Sequence, residues 1–145
     1  MTRSINIENG LQQTPLHVAA IAGSVACLTY LVKKGADVDA QDIDFKTALH
    51  YAAENGRLEC VTYLVTDLAK KCEINVLDSN LNTPLHLAAL NGHKDCMQIL
   101  IENQAKTHLT NRNFKTAEQL SKSKEQQESC SLSRISSKNL HCFMS

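Results

Sequence analysis

The 145-residue chain has no net charge, no long apolar run and no apolar leader. Fifteen basic residues balance fifteen acidic ones, which excludes a general electrostatic attraction to nucleic acid or anionic lipid. The uncharged stretch 18–32 has 15 residues, fewer than the roughly 20 that a membrane-spanning helix requires. Residues 1–10 contain no apolar segment of a secretory signal. Without an export signal, the six cysteines predict reduced thiols and a cytoplasmic or nuclear location.

Sequence motifs of catalysis are also lacking. The chain contains no glycine-rich phosphate loop, no Cys-x-x-Cys pair and no Gly-x-Ser-x-Gly turn. We therefore predict no catalytic residue, no bound metal and no cofactor. A thiol or metal enzyme is the alternative from a different functional class, and metal analysis of the purified chain would reveal it.

One phrase recurs along the chain. It reads TPLHVAAIAG from Thr14, TALHYAAENG from Thr47 and TPLHLAALNG from Thr83, at steps of 33 and 36 residues. A weaker copy, TAEQLSKSKE, begins 33 residues later at Thr116. Three further columns keep the same step: His17, His50 and His86; Gly23, Gly56 and Gly92; Cys27, Cys60 and Cys96.

The phrase predicts a short helix and both of its ends. Threonine can cap a helix start, and proline suits the next position because its missing N–H is not needed in the first turn. The glycine that follows suits a left-handed helix stop. A second helix is predicted where Val61, Leu64, Val65 and Leu68 follow helical spacing, and a polar finger such as residues 37–46 joins each unit to the next. Such a unit can bury its apolar side only against its neighbours.

A period near 33 residues that carries T-P-L-H-x-A resembles the ankyrin repeat. The resemblance implies an all-α solenoid of helix-turn-helix units with hairpin fingers, made of three full repeats and a partial C-terminal capping repeat. The expected domains are 1–13, an N-terminal segment with half a finger; 14–128, the repeats at about 14–40, 41–76, 77–109 and 110–128; and 129–145, a serine-rich flexible tail. The three extra residues of the second repeat are expected to lengthen its second helix toward Cys72.

The histidine column admits two interpretations. A zinc site would need ligand atoms about 2.0–2.3 Å from the metal, whereas packed helices lie about 8–10 Å apart. Equivalent residues of successive repeats therefore cannot share one ion. The other interpretation, which the resemblance implies, is that each imidazole binds backbone groups and ties a first helix to a finger. The same spacing exceeds the reach of a disulfide, so the cysteine column is predicted to contribute small core side chains.

The finger tips depart from the family pattern. The family often has glycine two residues before the threonine, and this chain has Gln12, Phe45, Leu81 and Phe114 there. Either the three apolar side chains fold back over a neighbouring repeat, or they form a row of anchors for a partner.

The resemblance implies non-catalytic binding of another protein through the concave face of fingers and first helices, as an adaptor, scaffold or regulatory binder. No nucleic acid partner is expected, and the chain is expected to be a monomer. The predicted contact residues are Ile43, Asp44, Phe45, Lys46, Glu54, Asn55, Asn80, Leu81, Asn82, Leu90, Asn91, Arg112, Asn113 and Phe114.

An alternative is a regulatory fragment or isoform of a larger ankyrin-containing protein, such as a ubiquitin-ligase adaptor, a channel, a kinase or a transcription regulator. It arises because no polar capping repeat precedes Thr14, which is expected to leave Val18, Ile21 and Leu28 with little cover.

Two modification sites are also predicted. Asn75 matches the position at which the resemblance implies asparagine hydroxylation. Residues 142–145 (CFMS) fit the C-a-a-X pattern, so Cys142 is a candidate for farnesylation. Membrane association is expected only if Cys142 carries that lipid.

Overall fold

The computed structural model describes residues 8–67 and 73–123, which contain helices and no β-strand. The helices are α1 (Pro15–Ala22), α2 (Val25–Lys33), α3 (Ala48–Glu54), α4 (Leu58–Thr62), α5 (Pro84–Leu90) and α6 (Lys94–Glu102). A π-helical turn, Tyr63–Asp67, continues α4, and a further helix, α7, covers residues 117–123.

The helices form two layers. Each consecutive pair (α1 with α2, α3 with α4, α5 with α6) makes an antiparallel hairpin. The first helices α1, α3 and α5 pack side by side, and so do the second helices α2, α4 and α6. This arrangement confirms the predicted all-α repeat fold, in which every unit is covered by its neighbours.

The core consists of equivalent residues of successive repeats. Leu16, Leu49 and Leu85, from the recurring phrase, are buried between the two layers. The alanine pairs behind them are buried as well. Burying each of these leucines removes apolar surface from water and contributes about 1.5–3 kcal/mol to folding.

The helix ends follow from the residues predicted to make them. The hydroxyl oxygens of Thr47 and Thr83 accept the backbone N–H of the residue three positions later, as helix caps do. The stops Gly23, Gly56 and Gly92 have φ of 77°, 66° and 74°. These left-handed values are available to glycine at little cost.

The second helix of the second repeat continues past Thr62 as the π-helical turn Tyr63–Asp67. A π turn fits one more residue per turn into a helix without ending it. The predicted extension toward Cys72 lies outside the described residues, as do residues 1–7 and the tail from residue 129.

The first repeat is covered differently from the expectation. Val18 is 50% exposed, but Leu28 is fully buried, so the prediction that Leu28 lacks cover is wrong. Leu28 belongs to the same core cluster as the buried side chains of the second repeat. The exposed side of this repeat instead carries Val18, Cys27 and Tyr30.

Candidate functional site

Four finger turns share one set of hydrogen bonds. Each begins at an Asn or Asp five residues before the threonine, whose side-chain oxygen accepts two backbone N–H groups. In the second finger, Asp42 Oδ1 accepts from Asp44 N and Lys46 N, both at 2.9 Å. The equivalent acceptors in the other fingers are Asn9, Asp78 and Asn111. The turns therefore have the same local shape.

Every finger tip is a non-glycine residue with left-handed backbone. The φ values are 60° at Gln12, 61° at Phe45, 60° at Leu81 and 61° at Phe114. An L-residue costs roughly 1–2 kcal/mol in this conformation. The three apolar tips are 56%, 43% and 84% exposed in chain order. The turns thus hold large apolar side chains toward solvent in a conformation that glycine would adopt more easily.

Backbone hydrogen bonds connect each finger to the next. Ile43 N donates to Leu11 O at 3.0 Å, and Ser79 N donates to Asp44 O at 2.9 Å. Arg112 N donates to Asn80 O at 3.0 Å, and its guanidinium Nη2 donates to Ser79 O at 2.7 Å. These bonds join four fingers into one row, which we call the finger row (residues 9–13, 42–46, 78–82 and 111–115).

The histidine column lies behind the finger row and supports it. His17, His50 and His86 each accept, at Nδ1, the backbone N–H of the threonine that caps their own helix. Because Nδ1 is an acceptor, Nε2 carries the proton. Nε2 then donates to the carbonyl that precedes the next threonine, at 2.8, 3.0 and 3.1 Å. The predicted framework role of these histidines is confirmed.

These bonds require neutral imidazoles. Burial lowers the pKa of His50 and of His86 below the ordinary value of 6.5, although backbone hydrogen bonds and Asp78 act against it. In the fourth repeat, Gln119 replaces the histidine, and its Oε1 accepts the Thr116 N–H at 2.9 Å. The helix cap therefore continues there without an ionisable group.

Charges are compensated in the second repeat. Lys46 Nζ lies 3.1 Å from Glu54 Oε2 and 5.3 Å from the centre of the Tyr51 ring. The Tyr51 hydroxyl donates to Asp42 Oδ2, and Gln13 Nε2 donates to that hydroxyl at 3.2 Å. Burial and the neighbouring Asp42 carboxylate raise the pKa of Tyr51.

The third repeat lacks this hydroxyl because Leu87 occupies the position of Tyr51. Within residues 8–67 and 73–123, Asp78 Oδ2 is buried without a hydrogen-bond partner. Its other oxygen, Oδ1, still accepts two backbone N–H groups of the turn.

The predicted contact residues occupy three kinds of position. Lys46 and Glu54 are half-buried and paired with each other. Asn82 is only 8% exposed; its carbonyl accepts from His50 and its amide oxygen accepts from Asn111 Nδ2. Asn82 is thus part of the framework under the finger row. The remaining eleven are exposed: Ile43, Asp44, Phe45, Asn55, Asn80, Leu81, Leu90, Asn91, Arg112, Asn113 and Phe114.

The predicted contact residues do not include two exposed apolar residues of the first repeat, although little cover was expected for one of them, Val18. Leu11 lies in the first finger and Val18 on α1, and both are about half exposed. The column alignment could have found them, since Leu11 aligns with Asp44 and Val18 with Tyr51. Their neighbour in the row, Gln12, is polar, so the apolar tips begin at the second finger.

The two candidate modification sites lie in different parts of the chain. Asn75 Oδ1 accepts the Lys106 N–H at 2.9 Å, a bond between neighbouring repeats. Hydroxylation of Asn75 stays a prediction, and mass spectrometry of the peptide that contains it tests it. Cys142 lies outside the described residues.

The cysteine column is buried in two of three repeats. Cys60 and Cys96 lie in the core, where burial raises the pKa of both thiols, to about 11 for Cys96. A raised pKa disfavours the reactive thiolate. Cys27, which is exposed, departs from the expected core position.

Two kinds of feature are absent from residues 8–67 and 73–123. These residues contain no group of three or more His, Cys, Asp and Glu side chains that could hold a metal ion. None of their helices combines the length and apolar character needed to cross a bilayer.

A family model described as ankyrin repeats (3 copies) matches the chain over residues 2–76, 37–112 and 64–132. These overlapping matches cover most of the sequence. The comparison with curated proteins gives no match.

Proposed function

Because the chain belongs to the ankyrin-repeat family, we propose that it is a non-catalytic adaptor or scaffold that binds a protein partner through the finger row and the exposed side of its first helices. Ankyrin repeats are generally protein-interaction modules, and extended repeat arrays bind along their concave surfaces.

The proposal rests mainly on the three apolar residues at the finger tips, whose backbone is strained. Phe45, Leu81 and Phe114 keep large apolar side chains at positive φ, where glycine would relieve the strain. Strained backbone of this kind concentrates at ligand clamps and other functional sites. Exposed aromatic and aliphatic groups with a polar surround make good binding anchors.

The surface around the tips is polar and held in place. Asp44, Asn80, Arg112 and Asn113 lie beside the apolar tips. Bonds between fingers fix the backbone of the first three, and a bond to Asn111 Oδ1 fixes that of Asn113. Leu90 adds an exposed apolar side chain on α5. Such a surface is already ordered, so a partner does not have to order it on binding. Asn82 is left out of the proposed contact surface because it is buried and bonded.

The proposal takes the chain to be a monomer in the cytoplasm or the nucleus. The described cysteines Cys27, Cys60 and Cys96 are free thiols. Free thiols support a reducing compartment.

The test is affinity purification from cell extract with quantitative mass spectrometry. Native chain is compared with the tip variant, Phe45→Ser/Leu81→Ser/Phe114→Ser. A matched control variant, Tyr30→Ser/Leu58→Ser/Ile101→Ser, removes three exposed apolar side chains from the second helices instead. Far-UV circular dichroism establishes that all three proteins are equally helical.

We expect native chain and the control variant to recover the same partner. The tip variant should recover much less of it. Loss of the partner from the control variant, with the tip variant unaffected, would place the contact on the second helices and overturn the proposal.

A further inference from the structure

We propose that the finger row binds one extended segment of its partner, with apolar side chains at every third residue and acidic residues over the fourth finger. This inference rests on the proposed function and names the shape and chemistry of the segment. It follows from the spacing of the tips, the polar groups between them and the charges at the two ends of the row.

The spacing of the tips sets the period of the segment. Phe45, Leu81 and Phe114 belong to successive repeats and occupy equivalent places in identical turns. Neighbouring repeats follow the separation of packed helices, about 8–10 Å. An extended segment in the polyproline II conformation has three residues per turn and advances about 3.1 Å per residue, so one turn spans one repeat. Side chains three apart on such a segment lie on the same side and therefore reach successive tips.

The polar groups beside the tips favour an extended segment over a helix. Asn80 and Asn113 directly precede Leu81 and Phe114, and both are exposed. Among the residues that the structure describes, their side-chain amides make no hydrogen bond. An extended chain has unpaired N–H and C=O groups along its length, whereas a helix pairs its own. Amide side chains between apolar tips suit the extended partner, since each amide both donates and accepts.

The charges at the two ends of the finger row determine which end of the bound segment should be acidic. Asp44 precedes the first apolar tip. Arg112 and Lys115 flank the last one and are exposed. Lys46 does not oppose this asymmetry, because its charge is paired with Glu54. A carboxylate over the fourth finger can bind the Arg112 guanidinium, which uses one of its five donors on Ser79 O.

The length of the segment follows from the number of tips. Gln12 is polar, so the apolar row has three members, with Leu81 at the centre and least exposed of the three. A polyproline II segment that contacts all three tips needs about seven residues from its first to its last apolar side chain, counted inclusively.

The experiment uses fluorescent synthetic peptides and the full chain. Eleven-residue peptides carry three leucines at a period of three, with serine and glutamine between them and two glutamates at one end. Both placements of the glutamates are made, because chain direction is open. Control peptides of the same composition carry the leucines at periods of two and four. A fourth probe is a stapled helix with leucines seven apart. Binding is measured by fluorescence anisotropy.

We expect one period-three peptide to bind at least about tenfold more tightly than the other-period peptides and the stapled helix, a difference of about 1.4 kcal/mol. Leu81→Ser should remove this preference, and Arg112→Gln should weaken the acidic peptide while leaving a peptide with glutamine in place of glutamate unchanged. The inference would be overturned if the peptides of all three periods bound equally, if the stapled helix bound more tightly, or if no peptide bound.

Failure of this inference can be told apart from failure of the proposed function. If no period-three peptide binds but the tip variant still loses the cellular partner and the control variant keeps it, the finger row binds a partner of another shape. If the tip variant keeps the cellular partner, the proposed function fails as well.

Discussion

Each buried histidine of the column makes two hydrogen bonds that a single neutral tautomer can satisfy. Nδ1 of His50 accepts the Thr47 N–H at 3.0 Å, and Nε2 donates to Asn82 O at 3.0 Å. A second proton would have to sit on Nδ1, where it would face the N–H that this atom accepts. Both the burial and the geometry therefore oppose protonation of the folded state.

The fold should lose stability on mild acidification. The pKa values of His50 and His86 lie below their unfolded value of 6.5. Their contribution to the free energy of unfolding is therefore fully present above about pH 6.5, and it is lost as the pH falls from there through the pKa values of the folded state. In that window the unfolded state binds more protons, and each histidine can contribute up to about 1.4 kcal/mol per pH unit.

Urea denaturation between about pH 7.5 and pH 5.5 measures this loss. The matched control is His50→Gln/His86→Gln, which places in both repeats the residue type of Gln119, whose side chain caps the fourth repeat without titrating. We expect a flatter pH dependence in the control. An equally steep decline in both proteins would show that other groups cause it.

The tip residues hold strain that a glycine would release. Phe114 is 84% exposed at φ 61°, so replacing it removes little buried surface. We expect Phe114→Gly to raise the free energy of unfolding by about 0.5–1 kcal/mol, since glycine avoids the left-handed cost but loses more chain entropy on folding. Phe114→Ala keeps a Cβ and should give no such gain. A Phe114→Gly chain less stable than Phe114→Ala would contradict the strain argument.

At the scale of elements, the first two hairpin turns each pack against a side chain from the next repeat. Arg57 lies over Gly23 and donates from Nε to Ile21 O at 3.1 Å. His93 lies over Gly56, and its Nε2 contacts Glu54 O at 3.1 Å. A Cβ added at Gly56 would lie 2.6 Å from His93 Nδ1. Gly23 and Gly56 thus serve both helix termination and the contact between repeats.

Two glycine substitutions separate these roles. Gly35 has φ +94° and nothing within 4 Å of an added Cβ, whereas Gly56 has φ +66° and the His93 ring against it. We expect Gly35→Ala to cost about 1 kcal/mol through backbone strain alone. Gly56→Ala should cost about 1–3 kcal/mol more through overpacking, and adding His93→Ala should recover part of that excess. Chemical denaturation measures all three, and equal costs at the two glycines would refute the stacking argument.

The helices and their ends were predictable because they depend on local chemistry. Thr83, Pro84 and Gly92 mark a helix by rules that hold in any protein, and the period then places one helix beside the next. The φ of Phe45 and Leu81 was not predictable from residue type, since both residues disfavour the left-handed region. The turn hydrogen bonds to Asp42 and Asp78 impose it, and they became visible only in three dimensions.

The candidate site was predictable in part for the same reason. Column alignment identified Asp44, Asn80 and Arg112 as finger residues. It could not show that Asn82 is buried under the row, because its burial depends on bonds to His50 and Asn111 in neighbouring repeats. Leu11 was missed because the first finger was treated as an incomplete unit.

At the scale of the whole molecule, the finger row and the second helices both carry exposed apolar residues. What distinguishes the finger row is that its apolar tips are strained and regularly placed, and that backbone bonds connect the fingers that carry them. A surface of that kind suits an elongated partner, and the second helices have no comparable row among the described residues.

Site-specific photo-crosslinking in cells tests most directly whether the finger row is the contact surface. Benzoylphenylalanine replaces Phe45 or Phe114 in the finger row and, as controls, Glu59 or Asp95 on the exposed sides of α4 and α6. We predict a covalent adduct with the same partner protein from both finger positions and none from the two control positions. Adducts from Glu59 or Asp95, with none from Phe45 and Phe114, would contradict binding through the finger row.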